Sequence, residues 1–193
     1  APYRYEGDDL RSLPLVIEAQ YRALAEIPYA GIAATTDLGN PTCIHPARKR
    51  EVGERLAFLA LANDYGVKGL PAPAPVYKSM ERDGNKLVLT FDNLPVKARN
   101  GADSFVAFGP DGYRRPAGFE IAGEDRVFHP AVANFKYWDN RIEVSSDRVP
   151  EPVAVRYAFR NYCPEANVVT TMGQPLAPFR TDDWPLDDIG EIR

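Results

Sequence analysis

One stretch decides the first half of the predicted fold: AGIAATTDLGNPTCIHP, residues 30–46. Residues 30–36 form a short apolar run bounded by turn residues, which is typical of a buried strand in a parallel sheet. The loop that follows carries a carboxylate, Asp37, and one of the two histidines of the chain, His45. Pro46 then opens an amphipathic pattern, so the stretch predicts a strand, a loop with an acid and a histidine, and a helix.

Helical patterns flank this strand on both sides. The upstream pattern predicts a helix from Pro14, in its first turn, to about Glu26. The downstream pattern predicts a helix from about Pro46 to Tyr65, and Gly66 is a suitable C-terminal stop. The apolar positions of the second helix are spaced along one face: Val52, Leu56 and Leu59. Residues 1–66 are therefore predicted to be the α-β-α tail of an α/β domain.

The hydrophobic period changes from 3.6 to 2 after a Pro-, Ala- and Gly-rich linker, residues 67–75. Alternating runs flank two hairpin signals, Asp83-Gly84-Asn85 and Asp139-Asn140, the second lying between Phe135-Lys136-Tyr137 and Ile142-Glu143-Val144. The clearest alternation runs from Val153 to Phe159. Short strands at this spacing predict a β-sandwich over residues 76–193, with an extended, Pro-rich tail from Gly173.

Composition excludes several classes of function. The formal net charge is 23 − 27 = −4, which favours neither nucleic acid nor an anionic membrane as a partner. No apolar run approaches the roughly 20 residues that span a bilayer. Cys43 and Cys163 are too few for a disulfide framework or a cysteine zinc site; they are compatible with one bridge or with two buried thiols.

His45 is the leading candidate for chemistry. It is predicted beyond the C-terminal end of a parallel strand, where open α/β sheets bind ligands, and at the start of a helix. The positive end of the helix dipole disfavours the imidazolium form, and neutral imidazole is the form that accepts a proton from a nucleophile. Asp37, eight residues earlier, has two interpretations: it orients the imidazole as the acid of a hydrolase triad, or it forms an Asx-turn that closes the strand.

The other candidates have structural interpretations beside the functional ones. Cys43 is a conceivable nucleophile, but a small buried residue explains it better, because residues two apart in a loop seldom face one another. His129 is interpreted as a surface histidine, and Arg156 and Arg160 as solvated or packed against the α/β part rather than as ligand contacts. No Gly-x-Ser-x-Gly, phosphate loop or metal-ligand cluster occurs in the sequence.

Several stretches taken together resemble the sialate O-acetylesterase family of carbohydrate esterases, within the SGNH-hydrolase group. The resemblance covers nearly the whole chain, and its most specific combination joins IHP-x-x-K-x-x-VGERLA with PVAVRYAF and APFRTD. The matching stretches are LPLVIEAQ (13–20), AGIAATTDLGN (30–40), IHPARKREVGERLAFLAL (44–61), GFEIAGEDRVFHPAVA (118–133), VPEPVAVRYAFRN (149–161) and PLAPFRTDDWP (175–185).

The resemblance implies a fold and a site. Residues 1–66 would be the C-terminal part of an SGNH-type α/β/α domain, and residues 76–193 an all-β, immunoglobulin-like sandwich. His45 matches the general base of the family. The family's catalytic serine and oxyanion groups lie upstream and match no position here. Many SGNH enzymes carry the triad aspartate three residues before the histidine, where this chain has Thr42. The resemblance instead matches Asp37 to the Asp-Leu-Gly motif of the family, and two interpretations stay open: Asp37 orients His45, or the site is a Ser-His dyad assisted by the backbone.

The resemblance also implies a substrate, partners and a location. The activity would be hydrolysis of O-acetyl esters of sialic acid, without a metal or organic cofactor. The partners would be the O-acetylated sugar and an N-terminal, serine-bearing chain or fragment of the same enzyme, and not nucleic acid or membrane. The location would be secreted, periplasmic or lysosomal.

Two alternatives stay open at this point. The same chemistry would equally serve acetylated plant polysaccharide such as xylan, because these residues do not select between sugars. A non-enzymatic chain would instead use its β-sandwich as a carbohydrate-binding or subunit-packing module. Because a sheet reduced to one strand leaves apolar faces uncovered, we expect the chain to be a fragment or to associate with an N-terminal chain.

Overall fold

The structure is a computed structural model that describes residues 1–5, 11–94, 105–109, 112–113, 115–136 and 140–185. Within these ranges, two α-helices come first and eleven β-strands follow. The helices are α1 (Ser12–Leu24) and α2 (Lys49–Asn63). The strands are β1 (Val76–Asp83), β2 (Lys86–Asp92), β3 (Phe105–Gly109), β4 (Gly112–Tyr113), β5 (Phe119–Ala122), β6 (His129–Pro130), β7 (Val132–Lys136), β8 (Arg141–Ser145), β9 (Ala154–Tyr157), β10 (Val168–Thr170) and β11 (Phe179–Arg180).

Both predicted helices exist, with shorter or shifted bounds. Pro14 lies in the first turn of α1, as predicted. α2 begins at Lys49 rather than at Pro46, because Arg48 has a non-helical ψ of 55° and the amide of Lys49 donates to the carbonyl of Ala47 at 2.8 Å, which forms a tight turn before the helix. The helix ends at Asn63, two residues before the predicted end at Tyr65. Gly66 follows with a φ of 67°, and the amide of Val67 donates to the carbonyl of Leu61 at 2.9 Å.

The prediction of a buried strand at residues 30–36 is wrong. The segment has no strand, and of its side chains only that of Ala34 is buried. A parallel strand needs a neighbour for its N–H and C=O groups, and among the described residues no strand lies beside this segment. Its backbone is held in other ways: the carbonyl of Ala34 accepts a hydrogen bond from Arg55, and that of Thr35 accepts one from Leu38.

The β-rich part contains three antiparallel sheets in the described residues. The first has the strand order β1-β2-β8-β7, the second β11-β9-β5-β6, and a smaller one β10-β3-β4. The strands of both predicted hairpins pair: β1 with β2 around Gly84, and β7 with β8. Tyr137 and Asp139, which belong to the second hairpin prediction, lie outside the described residues.

One hydrophobic core joins the sheets. Leu89 of β2 and Ile142 of β8 are fully buried in the first sheet, as Ile121 of β5 and Val155 of β9 are in the second. All four belong to a single cluster of buried side chains. The molecule is therefore a β-rich fold with two helices. Buried and half-buried side chains alternate along β8, whereas every side chain of β5 and β9 is buried.

The segments around this core are packed onto it. The predicted linker, residues 67–75, has no helix or strand, and its last residues Ala74 and Pro75 are buried. The predicted extended tail pairs β11 with β9 and carries the chain along the edge of the second sheet. Among the described residues, neither helix is long and apolar enough to cross a membrane.

Candidate functional site

The segment between the turn at Thr36 and the start of α2, residues 37–48, carries the predicted chemistry and is called the histidine loop here. Its first residue, Asp37, is held by a side chain of α2. Arg55 donates to both carboxylate oxygens of Asp37 at 2.7 Å, and to the carbonyl of Ala34 at 2.6 Å. The Arg55 side chain is 8% exposed and that of Asp37 27% exposed. This bidentate, charge-assisted contact fixes the start of the loop on the helix.

The helical spacing of Arg55 relative to apolar residues is a sequence signal for its role, although Arg55 belongs to no chemical motif. Position 55 follows Val52 by three residues and precedes Leu59 by four, so it lies on the same helix face. Arg55 and Leu59 are the buried residues of α2, whereas Leu56, predicted on the inner face, is half exposed. An arginine among apolar positions indicates a buried carboxylate partner elsewhere in the chain.

The middle of the histidine loop is closed by Asn40. Its side-chain oxygen accepts from the amides of Thr42 at 2.8 Å and Cys43 at 2.9 Å, and from the hydroxyl of Thr42 at 3.1 Å. This is the Asx-type turn that such sequences favour, formed by Asn40 rather than by Asp37. The turn reverses the chain just before His45.

The base of the loop rests on the β-rich part and on the N-terminal segment. Leu38 is fully buried, and the hydroxyl of Thr36 donates to the carbonyl of Leu176 at 3.1 Å. The amide of Asn40 donates to the carbonyl of Pro2 at 3.1 Å, next to Gly39. The loop is therefore fixed on three sides: α2, the β-rich part and residue 2.

His45 lies on the outer side of this loop and is exposed. It precedes the first helical residue, Lys49, by four positions, so it is farther from the end of the helix dipole than the sequence predicts. Within the described ranges, the imidazole makes no hydrogen bond, and neither a carboxylate nor a hydroxyl group orients it. The ring is exposed to solvent in this structure.

The structure does not bring Asp37 and His45 into contact. Both oxygens of the carboxylate accept from Arg55, and the backbone carbonyl of Asp37 accepts from Arg48 at 3.1 Å. Cys43 is exposed, so its prediction as a small buried residue is wrong: the Asn40 turn carries it outward. Its thiol contacts the carbonyl oxygen of His45 at 3.3 Å and not the ring. Both cysteines are free, and Cys163 is the buried one.

The predicted arginine candidates have structural partners. Arg156, predicted to be solvated or packed against the α/β part, is buried against Asp182, with two hydrogen bonds at 2.8 and 2.9 Å. Arg160 is paired with Glu165. His129 lies in the short edge strand β6, partly exposed. These contacts explain Arg156 without a ligand, whereas the Nε atom of Arg160 is buried and has no hydrogen-bond partner among the described residues.

A cleft of about 260 Å³ adjoins the base of the loop, and Asp37, Tyr157 and Asn167 are among its lining residues. Burial raises the pKa of Tyr157, and its hydroxyl accepts from the amide of Val168 at 3.1 Å, so the phenol stays neutral at ordinary pH. In the part of the chain that the structure describes, no group of three or more His, Cys, Asp or Glu side chains is placed to hold a metal ion.

Comparison with known proteins gives one informative result. No protein-family model matches the chain. No curated protein matches it. Among solved structures, the chain is similar to the crystal structure of a carbohydrate acetylesterase from Xanthomonas citri, with a TM-score of 0.81 and 40% sequence identity. The match covers 95% of this chain and 40% of that chain, so this chain spans about two fifths of that enzyme's length.

Proposed function

We propose that this chain is the histidine-bearing part of a serine esterase that removes acetyl groups from carbohydrates. The observation that carries the proposal is the likeness to a carbohydrate acetylesterase at 40% identity over 95% of the chain. The open imidazole of His45 on an anchored loop supports it, because a general base must be held in place and must be accessible to its nucleophile.

In the proposed reaction, a serine outside this chain attacks the acetyl carbonyl. His45 takes the proton of the serine hydroxyl as the C–O bond forms, and returns it to the sugar oxygen as the acetyl–sugar bond breaks. Water then attacks the carbonyl of the acetyl-serine; His45 accepts a proton from the water and returns it to the serine oxygen as the bond between serine and the acetyl group breaks and acetate leaves. Asp37 contributes indirectly in this proposal: its carboxylate anchors the loop through Arg55.

The serine would come from a further part of the same enzyme that docks on the helical side of the molecule. Three fifths of the similar esterase lies outside the match, which leaves room for such a part. Large exposed apolar side chains lie along α1, the segment after it, the histidine loop, α2 and the turn after α2: Val16, Ile27, Tyr29, Ile44, Leu56 and Tyr65. A docked domain would cover such residues, and its edge strand would give residues 30–36 the neighbour that they lack here.

The test compares the two histidines of the chain in the complete enzyme, with acetate release from an acetylated sugar as the measurement. His45→Ala is expected to lower kcat by about 100-fold or more, because a positioned general base contributes about 10²–10⁴ in rate. The matched control is His129→Ala, in β6 of the second sheet, which is expected to keep full activity. Wild-type activity in His45→Ala would contradict the proposal.

The proposed substrate is O-acetylated sialic acid, on the family resemblance of the sequence. Acetylxylan is the competing substrate, and kcat/KM for the two, measured on one preparation, decides between them. A preference for xylan would leave the esterase proposal intact and overturn the choice of sugar. Glycan binding without acetate release would instead favour a non-catalytic module.

A further inference from the structure

We infer that Arg55 is the positioning residue of the histidine loop, and that Asp37 acts on His45 only through it. The inference rests on the proposed function, since it assigns the support of the base in that site. The geometry points to this role because Arg55 donates to the carbonyl of Ala34, three residues before the loop, and to the carboxylate of Asp37, the first residue of the loop.

The loop is tied to one helix at both of its ends. Its start is bound to Arg55 inside α2, and its end continues directly into α2 at Lys49. Arg48, the residue before the helix, adds a third tie through the carbonyl of Asp37 and also pairs with Glu51 at 2.7 Å. His45 lies between these ties, so its position is defined relative to α2 rather than by a contact of its own ring.

The burial of Arg55 makes the contact strong and specific. A guanidinium that donates to two carboxylate oxygens in parallel is held in one orientation, and here it reaches a backbone carbonyl as well. A lysine is a single point charge that cannot reproduce this fork. To reach the imidazole directly, the carboxylate of Asp37 would have to give up hydrogen bonds to a nearly buried arginine, which is costly.

The first test is Arg55→Lys in the complete enzyme, with Arg50→Lys as the matched control. Arg50 lies on the same helix, but its partner is Glu54 and the pair is exposed. Arg55→Lys is expected to lower kcat by about 10- to 100-fold with KM unchanged within about twofold, because a displaced base slows chemistry more than binding. Arg50→Lys is expected to change neither constant. Equal kcat values in the two variants would overturn the inference.

A double-mutant cycle separates the indirect role of Asp37 from a direct one. If Asp37 acts only through Arg55, Asp37→Asn in the Arg55→Lys background causes no further loss of kcat. If Asp37 touches the imidazole as the triad acid, the second substitution lowers kcat again by about the factor seen in the wild-type background. That additive outcome would overturn the inference.

Amide hydrogen exchange tests the anchoring without an activity assay. Peptides that cover residues 35–48 are expected to exchange about tenfold or more faster in Arg55→Lys, because the amides of Leu38 and Asn40 depend on the closed base of the loop. Arg50→Lys is expected to exchange as the wild type does. Faster exchange together with an active His45→Ala enzyme would show that the anchoring is right and the proposed function wrong. Unchanged exchange would overturn the anchoring itself.

Discussion

Gly39 is the residue at which the histidine loop approaches the N-terminal segment most closely. A Cβ added there would lie 2.5 Å from the carbonyl oxygen of Pro2 and 2.6 Å from its Cβ, and neither atom belongs to a flexible side-chain tip. We expect Gly39→Ala to lower the free energy of unfolding by about 1–3 kcal/mol, since residue 2 or the loop must move. Chemical denaturation measures the change.

Gly53 gives the matched control for that substitution. It lies inside α2, and a Cβ added there would have no neighbouring atom within 4 Å outside the backbone of its own helix. Gly53→Ala is expected to raise the free energy of unfolding by about 0.5–1 kcal/mol, because alanine loses less backbone freedom in a helix. A Gly39→Ala protein as stable as the wild type would mean that the contact with Pro2 is not maintained in solution.

At the scale of elements, Glu143 of β8 joins three strands of the first sheet. Its carboxylate is 2.9 Å from the ammonium of Lys136 on β7 and 3.4 Å from that of Lys86 on β2. The hydrogen bond from Lys136, with the charge of Lys86, holds the pKa of Glu143 below its ordinary value. The ion pairs therefore stabilise the sheet above the ordinary glutamate pKa of about 4.3, and this stabilisation is lost as the pH falls through the lower, folded-state pKa.

Replacement of Glu143 tests whether its ion pairs stabilise the sheet, because the effect on the free energy of unfolding should then depend on pH. Glu143→Gln is expected to cost about 0.5–1 kcal/mol at pH 7 and nothing once the pH is well below the folded-state pKa, where the wild-type carboxyl is also neutral. Denaturant unfolding at the two pH values gives the difference. Glu151→Gln, at an exposed position before β9, is expected to change stability at neither pH. A cost for Glu143→Gln that does not depend on pH would contradict the ion-pair explanation.

Elements that carry their own partner were predictable, and elements that depend on a distant partner were not. The hairpin around Gly84 follows from a local turn and two alternating runs, and it forms as β1 and β2. Residues 30–36 have the composition of a buried strand, but strand formation needs a neighbour that sequence composition does not reveal. The start of α2 was misplaced by three residues, because Pro46 suits both a first helical turn and the turn before it.

In the candidate site too, features that depend on nearby residues were predictable, and features that depend on distant residues were not. The loop that carries His45 could be located from the sequence, because an apolar run, turn residues and a helix follow one another there. The partner of Asp37 could not, because Arg55 lies 18 positions away and reaches the acid only when α2 folds back on the loop. The burial of Arg156 was hidden for the same reason, since its partner Asp182 lies 26 residues away.

The C-terminal segment, residues 179–185, holds the two halves of the molecule together through such distant charges. Arg180 donates to Glu18 of α1 at 2.8 Å, and Asp182 accepts two hydrogen bonds from Arg156 of β9. The side chains of Arg156 and Asp182 are 2% and 0% exposed, and the Arg156 guanidinium lies 3.9 Å from the ring centre of Phe128. Among the described residues, Asp182 is the carboxylate that forms an ion pair with Arg156, so the stability of this buried charge depends on Asp182.

Asp182→Asn removes the charge with little change of shape. It is expected to lower the free energy of unfolding by about 3–5 kcal/mol, because the Arg156 charge then stays buried without compensation. For a chain of this length, a loss of about 3 kcal/mol lowers the melting temperature by about 6–12 °C. Asp183→Asn, at the exposed neighbouring position, is the matched control and is expected to shift it by less than about 2 °C. Equal melting temperatures for Asp182→Asn and Asp183→Asn would mean that water reaches Arg156, and that the C-terminal segment does not cover this part of the second sheet.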